Sequence, residues 1–346
     1  MKILHLIHTF APIGGVETYV LNLLPVLENK GHENVIVYRK DHARTPPAAQ
    51  RTAHHVPFTA DAALDTQRIA ECIEQERPSV IYVHDVEDPA LIERVAQLAP
   101  TVGYIHIFYP VCPGLGKLYR RGDAVCQRPF GLGCVAQIYW RRCASARHPR
   151  NVYRIMQRTA QFLRAYQRLP RIVVASNYMK GLMIQNQFEP ERVEILPPHF
   201  VTETGQNHSI EEGADPPRQI MFAGRLEYEK GLPYLLRALQ RVRSDCSLLV
   251  AGDGTRKAEY LQLARALGVS ERVQFCGWLS EEELKQAYQR SCVTVMPTLM
   301  PEPFGKVGVE AMANGCAVLA FDVGGISDWL KDGFNGYLVP AGNADR

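Results

Sequence analysis

The chain has 346 residues, 46% of them hydrophobic and 22% charged, with a formal net charge of +3. It is too long for one ordinary compact domain and too mixed to stay disordered, so two sizeable cores are expected. No apolar run approaches the roughly 18 uncharged residues that span a bilayer, and nine cysteines fit reduced thiols in a cytoplasmic enzyme better than a disulfide scaffold.

The opening MKILHLIHTFAP passes from a short apolar stretch into a glycine turn, a strand-turn-helix start rather than a secretory signal. The following helix places Tyr19, Val20, Leu23, Leu24 and Leu27 on one face and stops at Gly31. ENVIVYRK reads as a second strand, with further strands at 79–84, 101–107 and 171–175 and helical patterns between them. That alternation predicts an α/β unit with a largely parallel sheet over residues 1–201. Residues 202–217, TETGQNHSIEEGADPP, are polar, aperiodic and closed by two prolines, as a linker or excursion would be. From 218 to 346 the alternation resumes, QIMFAGRL through CAVLAFD, with Ser280 and Glu283 at capping-box spacing. The predicted fold is two doubly wound, Rossmann-like domains facing across a cleft, with ligands at the carboxyl ends of the strands.

Charge is unevenly spread. Between Lys117 and Arg171 there are thirteen Lys and Arg against one acid, Asp123, a local +12 that should face something anionic. Within it, residues 151–169 divide at 100° per residue into an apolar arc, Val152 to Leu169, and an arc of Arg154, Arg158, Arg164 and Arg168. Tyr139-Trp140-Arg141-Arg142 lies just upstream, a combination suited to a lipid headgroup layer, so an anionic membrane surface is one expected partner. No recognition module accompanies the charge, so nucleic acid is not expected. Cys112, Cys126, Cys134 and Cys143 could hold a structural metal or be loose thiols; their gaps match no paired knuckle.

Several residues fall where chemistry is done in such folds. Gly14-Gly15, between the first strand and its helix, leaves backbone amides open to a phosphate, although GxGxxG is absent. Arg225 closes a strand and Lys230 follows five residues on, at the start of a helix, so both cations suit a diphosphate. Gly252 and Gly254 end the next strand and would give room beside a ligand. In MPEPFGKVGVEAMANG, Glu302 precedes a proline and should sit in a loop, while Phe304, Gly305 and Lys306 begin a helix carrying Glu310 about two turns on.

GGVE, GRLEYEKG, AGDG and EPFGKVGVE, in that order, resemble the retaining nucleotide-sugar glycosyltransferases of family GT4, which have the GT-B fold. The resemblance implies that Arg225 and Lys230 hold the donor diphosphate, that Glu302 contacts the donor sugar near the amides of Phe304 and Gly305, and that Glu310 binds the ribose. It places His106, in YIHIFYP, beside the transferred sugar. It also implies a chain that usually continues past the point reached at Arg346 through further helices. No D-x-D triplet occurs, so metal-independent chemistry without a cofactor is expected. The expected function is transfer of a sugar to a lipid-linked or polysaccharide acceptor in envelope glycan synthesis, in the cytoplasm with peripheral attachment to the inner membrane face. Alternatives are a nucleotide-sugar epimerase, a sucrose-type synthase, or a non-catalytic nucleotide-sugar-binding protein.

Overall fold

The structure, a computed structural model, describes residues 1–11, 14–41, 53–57, 62–198, 218–242 and 245–342. It divides into two compact units: Met1–Gly116, Arg128–Trp140 and Ala144–Val201 form the first, and Lys117–Gln127, Arg141–Cys143 and Thr202–Arg346 the second. The predicted linker at 202–217 lies outside the described residues.

The first unit begins with β1 (Lys2–Phe10), α1 (Gly15–Asn29), β2 (Glu33–Asp41), β3 (Ala53–His55), α2 (Ala62–Glu76), β4 (Val80–Val83), α3 (Pro89–Leu98) and β5 (Thr101–Ile105). The strand pair β6 (Leu118–Tyr119) and β7 (Ala124–Val125) belongs to the second unit. The first unit then continues with α4 (Gly133–Trp140), α5 (Pro149–Gln167), β8 (Arg171–Val174), α6 (Asn177–Gln185) and β9 (Val193–Ile195). Its seven strands pair in parallel in the order β3-β2-β1-β4-β5-β8-β9. Every residue of β1 after Lys2 is buried, as a central parallel strand covered on both faces requires.

Local sequence explains where the helices begin. Asp88 accepts from the Ala90 amide and Pro89 opens α3; Ser176 accepts from the Met179 amide to cap α6. The apolar arc of α5 docks as expected, with Val152, Thr159, Phe162, Ala165 and Tyr166 buried, while Arg154, Arg158, Arg164 and Arg168 stay exposed. Two of those arginines are tied to the α3 side: Arg158 donates to the Glu87 carbonyl at 2.9 Å, and Arg168 pairs with Glu93 at 2.6 Å.

The second unit runs β10 (Gln219–Ala223), α7 (Leu232–Arg241), β11 (Ser247–Ala251), α8 (Lys257–Ala266), β12 (Val273–Gly277), α9 (Glu281–Gln289), β13 (Val293–Met296), α10 (Lys306–Ala313), β14 (Ala317–Phe321), α11 (Ile326–Trp329) and β15 (Tyr337–Val339). Its six strands are also parallel, in the order β12-β11-β10-β13-β14-β15. Ser280 and Glu283 form the expected capping box on α9.

Residues 117–127, part of the basic stretch in the chain's first half, pack with the second unit, which the strand-helix alternation does not foretell. Leu118 is buried in that unit's core, and the Asp123 carboxylate accepts hydrogen bonds from the Tyr228 and Tyr234 hydroxyls, the latter at 2.7 Å. Burial, and then the neighbouring Asp123, push the Tyr234 phenol up to about 12.

Candidate functional site

In a doubly wound sheet the strand order reverses at one place, and the loops leaving the carboxyl ends of the strands there diverge to opposite faces, opening a crevice. In the second unit the reversal falls between β10 and β13. The loop after β10 carries Arg225 and Lys230, and the loop after β13 carries Glu302. Lys230 does not start a helix: it closes a 3-10 turn, Tyr228–Lys230, and the left-handed Gly231 that follows caps α7.

The two loops are pinned together by one carbonyl. The Glu229 oxygen accepts from the Leu299 amide at 2.8 Å and from the Thr298 hydroxyl at 3.1 Å. This brings Lys230 Nζ to 2.6 Å from Glu302 Oε1, both partly buried. Glu302 is held in turn by its own backbone, whose carbonyl accepts from the Gly325 amide at 2.7 Å. Arg225 is exposed and its Nη2 lies 3.5 Å from Glu229 Oε1; Lys306 Nζ lies 3.1 Å from Glu310 Oε1, four residues along α10. Each expected cation is therefore matched with a carboxylate. The Arg225–Glu229 contact, whose arginine is exposed, contributes only about 0–1 kcal/mol, whereas the partly buried Lys230 is held by Glu302 until a charge as strong as a diphosphate replaces that carboxylate.

Gly305 is the N-cap of α10 at φ +90, with Phe304 just before it; the Phe304 carbonyl accepts from Trp329 Nε1 at 2.6 Å. The first amides of α10 follow this glycine, which has no side chain to cap them. Gly252 and Gly254 have a different reason for being glycine from the one expected. A Cβ on Gly252 (φ +131) would strike the Gly224 carbonyl, and one on Gly254 would meet the Leu226 backbone at 2.6–2.8 Å. Their missing side chains let the β10 and β11 loops touch, which fixes the loop bearing Arg225; the room is occupied by protein backbone. Glu227 joins the same junction, accepting from the Thr255 amide at 2.9 Å, and that bond holds its carboxyl below the usual range.

In the first unit the strand order reverses between β1 and β4. Gly14 is the extended N-cap of α1, with no side chain to offer its amides, and Gly15 is the exposed first residue of the helix. His106 follows β5 and is half-buried, its ring stacked on Tyr104 with centroids 3.9 Å apart and edge-on to Tyr19 at 5.2 Å. Burial lowers its imidazole to about 3, so it is neutral at ordinary pH.

Sequence reasoning missed the groups around it. His84, at the end of β4, lies with Nδ1 3.3 Å from His106 Nε2, and its own Nε2 lies 3.1 Å from Nδ1 of His5 on β1. Asp85, the next residue, is pushed up to about 6 by burial and then by the nearby Glu17 and Glu87 carboxylates. A displaced carboxyl at the end of a strand beside the reversal is a usual mark of a functional site. A histidine in each of three expected strands was the available signal. Among the described residues no group of three or more His, Cys, Asp or Glu is arranged to hold a metal, so the cysteines 112, 126, 134 and 143 form no such cluster, and none of the nine cysteines enters a disulfide.

Two parallel Rossmann-like units, each with its polar groups gathered at the sheet's reversal, define the GT-B class of fold. Comparison with solved structures agrees: the HepE protein of Anabaena, solved in complex with UDP-glucose, superposes with a TM-score of 0.72 at 18% identity, over 99% of this chain and 86% of that one. Residues 13–203 match the family described as Glycosyltransferase Family 4, and residues 205–346 match Glycosyl transferases group 1. The chain belongs to the family 4 glycosyltransferases. An uncharacterised glycosyltransferase of Methanocaldococcus jannaschii is 38% identical over 133 residues, 38% of this chain and 34% of the relative. The lipopolysaccharide 1,2-N-acetylglucosaminetransferase of Salmonella typhimurium is 32% identical over 188 residues, 48% of each chain. The matched stretches thus span between a third and a half of these curated relatives.

Proposed function

We propose that the protein transfers a sugar, with retention at the anomeric carbon, from a nucleotide-sugar donor bound by the second unit to a lipid-linked or polysaccharide acceptor of envelope glycan synthesis. The observation that carries this reading is the Lys230–Glu302 contact at the strand-order reversal, 2.6 Å between ammonium and carboxylate. As the anomeric bond breaks, negative charge gathers on the departing phosphate. A fixed lysine, the nearby Arg225 and the first amides of α10 are suited to receive it. Once Lys230 turns to phosphate, Glu302 is released to take donor-sugar hydroxyls, with the Phe304 and Gly305 amides nearby. Glu310 suits the ribose and Lys306 then joins the phosphate side. His106 serves as a sugar contact, and Gly14 and Gly15 offer backbone amides to phosphate or acceptor. The cationic side chains supply the charge that a divalent ion supplies elsewhere, so no metal or cofactor is invoked.

The solved Anabaena relative held UDP-glucose, and the Salmonella relative is named for lipopolysaccharide synthesis; both favour this donor class and this kind of acceptor. The first unit also exposes Leu132, Tyr139, Trp140 and Tyr153, and α5 of the same unit exposes Arg154, Arg158 and Arg164. Aromatic rings beside arginines suit an anionic headgroup layer, which would keep a lipid-linked acceptor close at the inner face of the cytoplasmic membrane. The attachment proposed is peripheral; no helix among the described residues is long and apolar enough to cross a membrane.

The test is a thermal-shift screen of UDP-, GDP- and ADP-sugars. A ligand at 100 times its Kd stabilises the native state by about 2.7 kcal/mol, enough to read as a rise in Tm. One nucleotide class should raise Tm in the wild type and fail to do so in Lys230→Ala. No shift with any nucleotide sugar, alongside a shift with an unrelated dinucleotide, would overturn the reading.

A further inference from the structure

The three histidines form a hydrogen-bonded line that starts at an asparagine. Asn34, buried in β2, donates from Nδ2 to the Leu24 carbonyl at 3.3 Å. A backbone carbonyl only accepts, so this contact settles which end of the amide faces it and leaves Oδ1, an acceptor, turned to His5. His5 Nε2 lies 3.1 Å from that oxygen and must therefore carry its proton. A neutral imidazole has one N–H and one lone pair, so Nδ1 of His5 accepts. His84 Nε2, 3.1 Å away, must then donate, its Nδ1 must accept, and His106 Nε2, 3.3 Å further on, must donate in its turn. Burial keeps all three rings neutral: His5 is lowered to about 4, His106 to about 3, and His84 well below its ordinary value, the last also through its two histidine neighbours.

We infer that Asn34, acting through His5 and His84, fixes His106 as the Nε2–H tautomer and so leaves Nδ1 of His106 as a permanent acceptor for a hydroxyl of the bound sugar. Asn34, His5 and His84 are positioning residues: the last two touch His106 or one another, and Asn34 sets the direction of the whole line. Without it, the line could run in either direction, and the other polarity would present an N–H where the hydroxyl needs an acceptor. The stacked ring of Tyr104 and the edge of Tyr19 pack against the His106 ring and oppose the half-turn about Cβ–Cγ that would put carbons where its nitrogens lie. The inference deepens the proposed function and rests on it for the role of His106, while the direction of the line stands on the geometry alone.

The experiment is nitrogen-detected NMR of the full chain labelled in histidine, with the His106 resonances assigned by their loss in His106→Gln. In the wild type, His106 should give a protonated Nε2 and an unprotonated Nδ1. Asn34→Leu and His5→Phe each cut the line without touching His106, and both should convert it to a mixture of tautomers. With a comparable share of each tautomer, only the competent fraction binds the sugar hydroxyl, so the donor KM should rise about twofold. A bare loss of packing would not move the tautomer signal of a ring two or three residues along the line. Nδ1–H in the wild type would overturn the inference, even if neither variant folds, and so would an unchanged His106 signal in a folded Asn34→Leu protein. A shifted tautomer with an unchanged donor KM would uphold the line and remove His106 from the sugar, which separates this inference from the function on which it leans.

Discussion

The two sheet reversals solve the same problem in opposite ways. In the second unit, functional side chains are ions, exposed or partly buried, each matched to an opposite charge: Arg225 to Glu229, Lys230 to Glu302 and Lys306 to Glu310. In the first unit the groups at the reversal are buried or half-buried, and burial disfavours their charged forms: the histidines are neutral and the Asp85 carboxyl is lifted to about 6. Ion pairs whose partner a ligand can replace suit one that brings strong charge, such as a diphosphate. A neutral buried line suits recognition of hydroxyls, where the direction of a hydrogen bond matters more than net charge.

The largest effect that would break this contrast lies in the second unit. Lys230→Ala should lower kcat/KM by about 10²–10³-fold, the range seen when one fixed group that stabilises a developing anion is removed. A steady-state assay with the donor selected in the screen checks it. Glu302→Gln, which keeps the shape but not the charge, should cost less, about tenfold. If both variants keep wild-type turnover, the paired ions are only structural.

In the first unit the corresponding variant acts on stability instead. Asp85 has a native pKa of about 6, raised from 3.8, so between these values the folded chain holds more protons than the unfolded one. Its contribution is therefore fully present below about pH 4 and is lost as pH rises through 6. Asp85→Asn should remove that loss, making the variant more stable than the wild type at pH 7.5 by up to about 3 kcal/mol, at roughly 1.4 kcal/mol per pKa unit, with the advantage vanishing near pH 4. Urea titrations at the two pH values measure it. An advantage of the same size at both would show that the carboxyl is not displaced.

A smaller effect probes the hairpin of β6 and β7. Asp123→Ala leaves the Tyr228 and Tyr234 hydroxyls without their acceptor, which should cost about 1–3 kcal/mol. Because Tyr228 opens the turn that ends in Lys230, the donor KM should also rise a few-fold. Stability loss without any change in KM would separate the hairpin from the donor site.

How much of this could be read beforehand follows from distance along the chain. The alternating pattern announced both parallel sheets because each strand and helix writes its own period locally, and EPFGKVGVE carried Glu302, Gly305 and Glu310 within nine residues. Lys230 and Glu302 are 72 residues apart, yet both follow strands flanking the reversal, so topology alone brings them together. The histidine line was not legible. His5 and His84 are separated by 79 residues, and only the parallel register, which sets His5 against Tyr82 and Ile36, lets His84 and Asn34 reach it. The docking of residues 117–127 on the second unit was hidden for a different reason: one acid in a run of thirteen basic residues looks like a minor correction to the charge, whereas Asp123 is the residue that attaches the hairpin.

The most direct measurement is calorimetric titration of the free nucleoside diphosphate of the selected donor into wild type and Lys230→Ala. The wild type should bind it and the variant should bind at least tenfold more weakly, with the corresponding nucleoside binding both equally. Equal diphosphate affinity in the two proteins would mean that Lys230 does not exchange Glu302 for the donor phosphate.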